Sequence, residues 1–250
     1  RSVKILVSTK VHVRRIADYL AAPGARSKGC FPKPCGNIVF ENVSFAYGGA
    51  EEVLRNVSFQ CSPGQVNYIV GKNGCGKSTT VKLLLGEERP SGGRIFLCGE
   101  DISHLSQQEL VKKIAVCTQD TVLLPATILE NLRFGSPEAP EDQIRSVCEA
   151  VGIHQEIDAL PEKYDTLLHD LGEPLSLGQR KRIALARTLL KDGYIYIFDE
   201  PSAGLDVQNT LRVKKVFETL AKDHIVIMIT HDAVLLDEGG NNIRIEGAEA

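Results

Sequence analysis

The sequence predicts an α/β protein with a helical insertion in its middle, on three observations. Residues 194–198 and Ile225–Ile229 are unbroken apolar runs, the pattern of central parallel strands covered on both faces. Val66–Val70 is a short apolar run that leads through a glycine-rich turn into a helical segment at 80–85, a strand-turn-helix order. Between about 127 and 190 the periodicity becomes helical, most clearly over Glu141–Ala150 and 179–190.

At the start of the chain, Val3, Leu6, Val13, Ile16, Ala17 and Leu20 recur at helical spacing, which predicts a helix over residues 1–20. Pro23, Gly24, Gly29, Pro32, Pro34 and Gly36 break any regular pattern beyond it, so a linker is expected at about 21–36. Residues 38–47 and 53–60 alternate and are β-branched or aromatic around Gly48-Gly49, a pair of strands. Further strands are expected at 94–97 and Ile114–Cys117. The expected division is 1–36 and then one domain over 37–250, with its helical part at about 120–190.

Composition narrows the function classes. Against 29 Lys plus Arg stand 32 Asp plus Glu, a formal net charge of -3 and a pI near 6.1, which argues against a general nucleic-acid binder. No apolar stretch approaches the ~20 residues of a membrane-crossing helix, and no signal peptide is read. The 7 cysteines are an odd number without framework spacing, so they read as reduced thiols. Cys30 and Cys35 lack a second pair at zinc-site spacing. The first residue is Arg1 rather than Met, as expected of a piece of a longer polypeptide.

Gly71-Lys72-Asn73-Gly74-Cys75-Gly76-Lys77-Ser78-Thr79 satisfies G-x-x-x-x-G-K-[ST] between a predicted strand and a predicted helix. The glycines let consecutive backbone N–H groups converge on an anion, and the helix N-terminus adds its positive end. Lys77 would neutralise outer phosphates and Ser78 would offer a hydroxyl to Mg²⁺. That chemistry asks for a nucleoside triphosphate, held by residues 71–80 including Thr80. Cys75 reads as a small residue that fits the loop. The run at 194–198 then delivers Asp199 and Glu200 at its C-terminal end, where open α/β sheets bind ligands. Asp199 is placed to hold the metal's water shell and Glu200 to polarise the attacking water. These two elements alone leave kinases, GTPases and many ATPases open.

Leu175-Ser176-Leu177-Gly178-Gln179-Arg180-Lys181-Arg182 lies just ahead of the acidic strand and resembles the LSGGQ signature of ATP-binding cassette (ABC) proteins. The resemblance covers about residues 37–250. It implies a P-loop NTPase core with a mostly parallel sheet, an antiparallel β subdomain and a helical signature subdomain. It also implies ATP and Mg²⁺ as cofactors. Tyr47 resembles the aromatic residue that stacks on adenine, with Val53 beside it. Gln119 resembles the Q-loop glutamine that touches Mg²⁺ and water, Asp206 the D-loop aspartate, and His231 the switch histidine at the γ-phosphate. Ser176, Leu177, Gly178 and Gln179 begin a predicted helix, a second anion-binding N-terminus. The family explains the second cradle: two cassettes pair head to tail, so the signature acts on the partner's ATP.

Thr127-Ile128-Leu129-Glu130-Asn131-Leu132 and Tyr164-Asp165-Thr166 resemble runs of exporter cassettes, and residues 8–20 resemble the cytoplasmic end of an exporter's last membrane helix. The resemblance therefore implies ATP hydrolysis coupled to export. Its expected partners are a second nucleotide-binding domain, identical or not, and a transmembrane domain in the same full-length chain, at the cytoplasmic face of a membrane, with no nucleic acid. Two departures are visible: Leu177 stands where the signature has Gly, and His169 and Asp170 replace Gly and Glu of the exporter x-loop. A nucleotide-gated regulatory cassette with little turnover and a soluble non-transporter ATPase remain alternatives on the sequence.

Overall fold

A computed structural model describes residues 36–48, 51–120, 122–169, 172–236 and 239–246. The helix expected over 1–20, the linker up to Cys35, and Asp170 lie outside them. The described chain forms two sheets and a set of helices. Strands β1 (Ile38–Ala46), β2 (Glu52–Cys61), β4 (Gly92–Leu97) and β5 (Glu100–Asp101) make an antiparallel sheet in the order β2-β1-β4-β5. Strands β3 (Val66–Val70), β6 (Ile114–Cys117), β7 (Ile195–Asp199), β8 (Ile225–Ile229) and β9 (Asn241–Arg244) make a parallel one in the order β6-β7-β8-β3-β9. This mixed architecture is the one expected from the sequence.

The parallel strands explain their own composition. Every residue of β8 and all of β7 except Asp199 are buried, which only apolar side chains on both faces tolerate. Alternate residues enter different cores. Ile195 and Ile197 of β7, with Ile225, Ile227 and Ile229 of β8, face a core shared with the antiparallel sheet and helix α1 (Lys77–Leu84). Tyr196, Phe198, Val226 and Met228 face a second core, built with the helical layer. The five-stranded sheet is thus a common wall.

The helical layer contains α3 (Ile128–Arg133), α4 (Glu141–Ala150), α5 (His154–Asp158), α6 (Leu177–Leu190) and α7 (Val207–Leu220), with α2 (Gln107–Lys113) beside the antiparallel sheet's core. Three helices start at reciprocal capping boxes: Ser106 with Glu109, Thr127 with Glu130, and Ser176 with Gln179. Each pair satisfies N-terminal N–H groups that the helix itself cannot. The helix expected at 179–190 begins at Leu177, because Ser176 takes the cap. Likewise the helix expected at 80–85 begins at Lys77, just after Gly76 in a left-handed conformation.

Candidate ATP site and signature turn

The turn between β3 and α1 has two left-handed glycines, Gly74 at φ 82° and Gly76 at φ 103°. At Gly76 a Cβ would lie 2.5 Å from Leu54 Cδ2, so only glycine lets the turn close against β2. Lys77 is buried and donates from Nζ to the carbonyls of Gly71 at 2.8 Å and Lys72 at 2.9 Å. An ammonium has three donors, so one remains for an anion. No side chain caps α1 and no acidic residue occupies its first turn, which leaves its positive end for a ligand. Cys75 and Thr80 are buried and do not line the cavity, Thr80 Oγ1 donating to the Gly76 carbonyl at 3.0 Å.

Opposite the turn, β7 ends in Asp199, and Glu200 follows it. Glu200 sits at φ 46°, a left-handed conformation that is costly outside glycine. Its N–H donates to the Ile229 carbonyl at 2.8 Å, which ties the strained residue to the end of β8. His231, just past β8, places Nε2 3.8 Å from Glu200 Oε1. Burial pushes the Asp199 carboxyl above the usual range, helped by the adjacent Glu200 and opposed by Lys181 and Lys77.

At the third side, Tyr47 is 37% exposed, packs edge-on against Phe45, and shares a 3.2 Å hydrogen bond between its hydroxyl and Thr79 Oγ1. Lys82 Nζ lies over the ring at 5.3 Å from its centroid, and the residue lines the opening.

These elements enclose one cavity of about 640 Å³ lined by Tyr47, Val53, Asn73, Gly74, Gly76, Lys77, Ser78, Thr79, Gln119, Asp199, Glu200 and His231, and also by Ala203 and Ile229. The volume falls within the range of small-molecule sites. An aromatic ring at one end and a lysine with an uncapped helix start at the other suit a nucleotide. Mg²⁺ prefers oxygen ligands, commonly one carboxylate together with substrate phosphates. Ser78, Gln119 and Asp199 supply such oxygens beside the phosphate turn, so the lining fits a metal shared with phosphates.

The signature residues lie elsewhere. Ser176 Oγ accepts from the Gln179 N–H at 3.2 Å, while Gln179 Oε1 accepts from the Ser176 N–H at 2.8 Å. Gln179 Nε2 donates to Glu156 at 3.0 Å, and Glu156 also binds Arg182 at 2.6 Å. One acceptor site and one donor of the Gln179 side chain are thereby engaged within its own chain. Leu177 is 55% exposed. Asp206, assigned to the D-loop, accepts from the Asn209 N–H at 2.8 Å and caps α7. Neither the signature nor Asp206 lines the cavity. Ala203, the first residue of the run that resembles the D-loop, does line it, and Ile229 is a lining residue that sequence reasoning misses, since an aliphatic side chain carries no chemical signal.

The sequence and fold match known proteins closely. The family described as ABC transporter matches residues 54–203. The chain is 39% identical to human "ATP-binding cassette sub-family B member 6" over 196 residues, 78% of this chain and 23% of that protein. It is also 39% identical to the "Beta-(1-->2)glucan export ATP-binding/permease protein NdvA" of Rhizobium etli, covering 78% of this chain and 33% of that protein. The solved "Structure of a bacterial Atm1-family ABC exporter with ATP bound" superposes with a TM-score of 0.84 at 29% identity, covering 98% of this chain and 43% of that one. The chain belongs to the ABC transporter family and is an exporter-type nucleotide-binding domain. It spans 23% to 33% of the length of these two relatives, and none of its described helices is long and apolar enough to cross a membrane.

Proposed function

We propose that the chain binds MgATP, pairs with a second nucleotide-binding domain around it, and hydrolyses it to power export through a transmembrane region of the full-length polypeptide. The observation that carries this reading is the convergence of Lys77, Ser78, Gln119, Asp199, Glu200 and His231, from separate segments, on one cavity. Residues 37–250 form the ATPase unit in this reading, and residues 1–36 join it to the membrane region. That unit lies at the cytoplasmic face.

In the mechanism, the Tyr47 ring and Val53 hold adenine. Backbone N–H groups of the turn and Lys77 hold the phosphates. Mg²⁺ supplies charge neutralisation on the phosphate oxygens, with Ser78, Gln119 and, through water, Asp199 placed to hold it. Glu200 accepts a proton from the water that attacks the γ-phosphorus, the bond from that phosphorus to the bridging oxygen breaks, and ADP leaves with that oxygen. His231 orients the water and γ-phosphate against Glu200. The second cradle, at Ser176–Gln179, meets the ATP of the other domain and completes that site.

The test is the ATP hydrolysis rate as a function of protein concentration for the wild type and Glu200→Gln. A rate that rises faster than linearly, lost in Glu200→Gln while ATP-dependent dimers accumulate, is expected. ATP binding without turnover or dimers would favour a regulatory cassette.

A further inference from the structure

Helix α6 carries the signature turn at its start and a lysine one turn later whose surroundings are unusual. Lys181 is 1% exposed. Its Nζ donates to the main-chain carbonyls of Thr118 at 3.1 Å, Gln119 at 3.3 Å and Asp199 at 3.5 Å. Three donors thus meet three acceptors, and no ion pair to a described carboxylate accompanies them. A buried cation is costly to retain unless it is fully bonded. Here the three oxygens belong to two of the segments that line the ATP cavity, the Gln119 loop and the end of β7.

We propose that Lys181 is a positioning residue for ATP hydrolysis, its buried ammonium clamping the Gln119 loop to the end of β7 and both to the signature helix. The inference rests on the ATP-hydrolysing reading of the cavity. In that reading two independent segments would hold the metal, the Gln119 amide from a solvent-exposed loop and, through water, the Asp199 carboxylate from a strand. Nothing in the sheet ladder fixes Gln119, because β6 ends at Cys117. Lys181 supplies that constraint. Because the clamp sits on the helix whose first turn meets the other domain's nucleotide, displacement of the signature is transmitted to the metal ligands of the chain's own site.

A second lysine of the same helix offers a comparison. Lys191, at its far end, donates to the carbonyls of Val111 at 2.6 Å and Ile114 at 2.7 Å, but no cavity-lining residue is among its partners. A purely structural clamp would behave alike at both positions.

The experiment compares wild type, Lys181→Met, Lys181→Gln and Lys191→Met. Phosphate release gives kcat and KM, calorimetry gives ATP affinity with and without Mg²⁺, and thermal melts track the fold. Lys181→Met is expected to lower kcat about tenfold with KM within about twofold. It should leave Mg²⁺-free ATP binding intact and shrink the affinity gain that Mg²⁺ brings. Lys181→Gln, which keeps N–H donors on a shorter stem, should recover part of both. Lys191→Met should lower Tm without changing the Mg²⁺-dependent gain. If Lys181→Met keeps the wild-type kcat and Mg²⁺ gain, or loses both only as Lys191→Met does, the positioning role is overturned. A wild type that neither binds MgATP nor hydrolyses it overturns the ATPase reading itself, a result separable because it precedes any variant.

Discussion

The side chain of Leu177 lies directly over Gly204: a Cβ added at Gly204 would come within 3.0 Å of both Leu177 Cγ and Cδ2. Gly204 is also left-handed, at φ 81°. A bulky residue in the signature turn is therefore accommodated by the absence of one in the loop after β7. Gly204→Ala should destabilise the chain by about 1–3 kcal/mol, from the positive φ and the overlap together. Leu177→Ala alone should change stability by no more than about 0.5 kcal/mol, since the side chain is mostly solvated. The double variant should regain the overlap part of the loss, so that the two changes are non-additive in a urea-denaturation cycle. Strict additivity would mean that the two residues do not touch in solution.

A second prediction concerns the network under the signature. Burial would raise the Glu156 carboxyl, but hydrogen bonds from Arg182 and Gln179 hold it below its ordinary value of 4.5. A depressed carboxylate contributes stability above its unfolded pKa, and that contribution fades as pH falls through the folded one. Wild type should thus exceed Glu156→Gln in Tm at pH 7, with the gap closing below about pH 4.5 as the acid is protonated. Arg182→Met should cost more, about 2–4 kcal/mol at neutral pH, because Arg182 is the buried partner and also bonds the Gly152 and Gly178 carbonyls. Thermal melts from pH 3 to 8 check the sign.

Asp199 has the opposite sign. Its carboxyl is raised above 3.8, so the folded protein loses stability as pH climbs from 3.8 through the folded pKa. Asp199→Asn should raise Tm at pH 7 in the absence of nucleotide and Mg²⁺, with the gain vanishing as pH falls to 3.8. The same variant should weaken the Mg²⁺-dependent part of ATP binding. Stability given up for function at a ligand site is the general expectation. A lower Tm for Asp199→Asn at pH 7 would contradict the electrostatic account.

The phosphate turn and the acidic strand end are legible in the sequence because their chemistry is local. Glycines, one lysine and two carboxylates must stand at fixed spacing beside a strand. The run from Thr127 to Leu132, read as an exporter likeness, has a physical basis in the structure. Thr127 and Glu130 cap α3, and Asn131, fully buried, accepts from the Leu124 N–H at 2.8 Å while donating to the Leu124 and Thr127 carbonyls at 3.0 Å. Helix α2 and strand β9 are not anticipated by the periodicity. Ser106 and Glu109 announce α2 only once the cap is recognised, and β9 offers Ile243 as its one buried apolar residue. Helix α7 is hidden behind the D-loop assignment of Asp206, which is also its cap. The left-handed Glu200 and the burial of Lys181, set between two other basic residues, depend on tertiary contacts that no spacing encodes.

The five-stranded sheet, with isoleucines on one face and aromatic or smaller aliphatic residues on the other, leaves neither layer a private interior. Stripping away the antiparallel strands together with α1 would bare the back of β7 and β8 to water, and removing the helices of the other layer would bare the front. The two layers are therefore expected to fold only together. Melting begun in either should spread through the wall to the other, so the slowest-exchanging amides should be those of β7 and β8, and they should all open together.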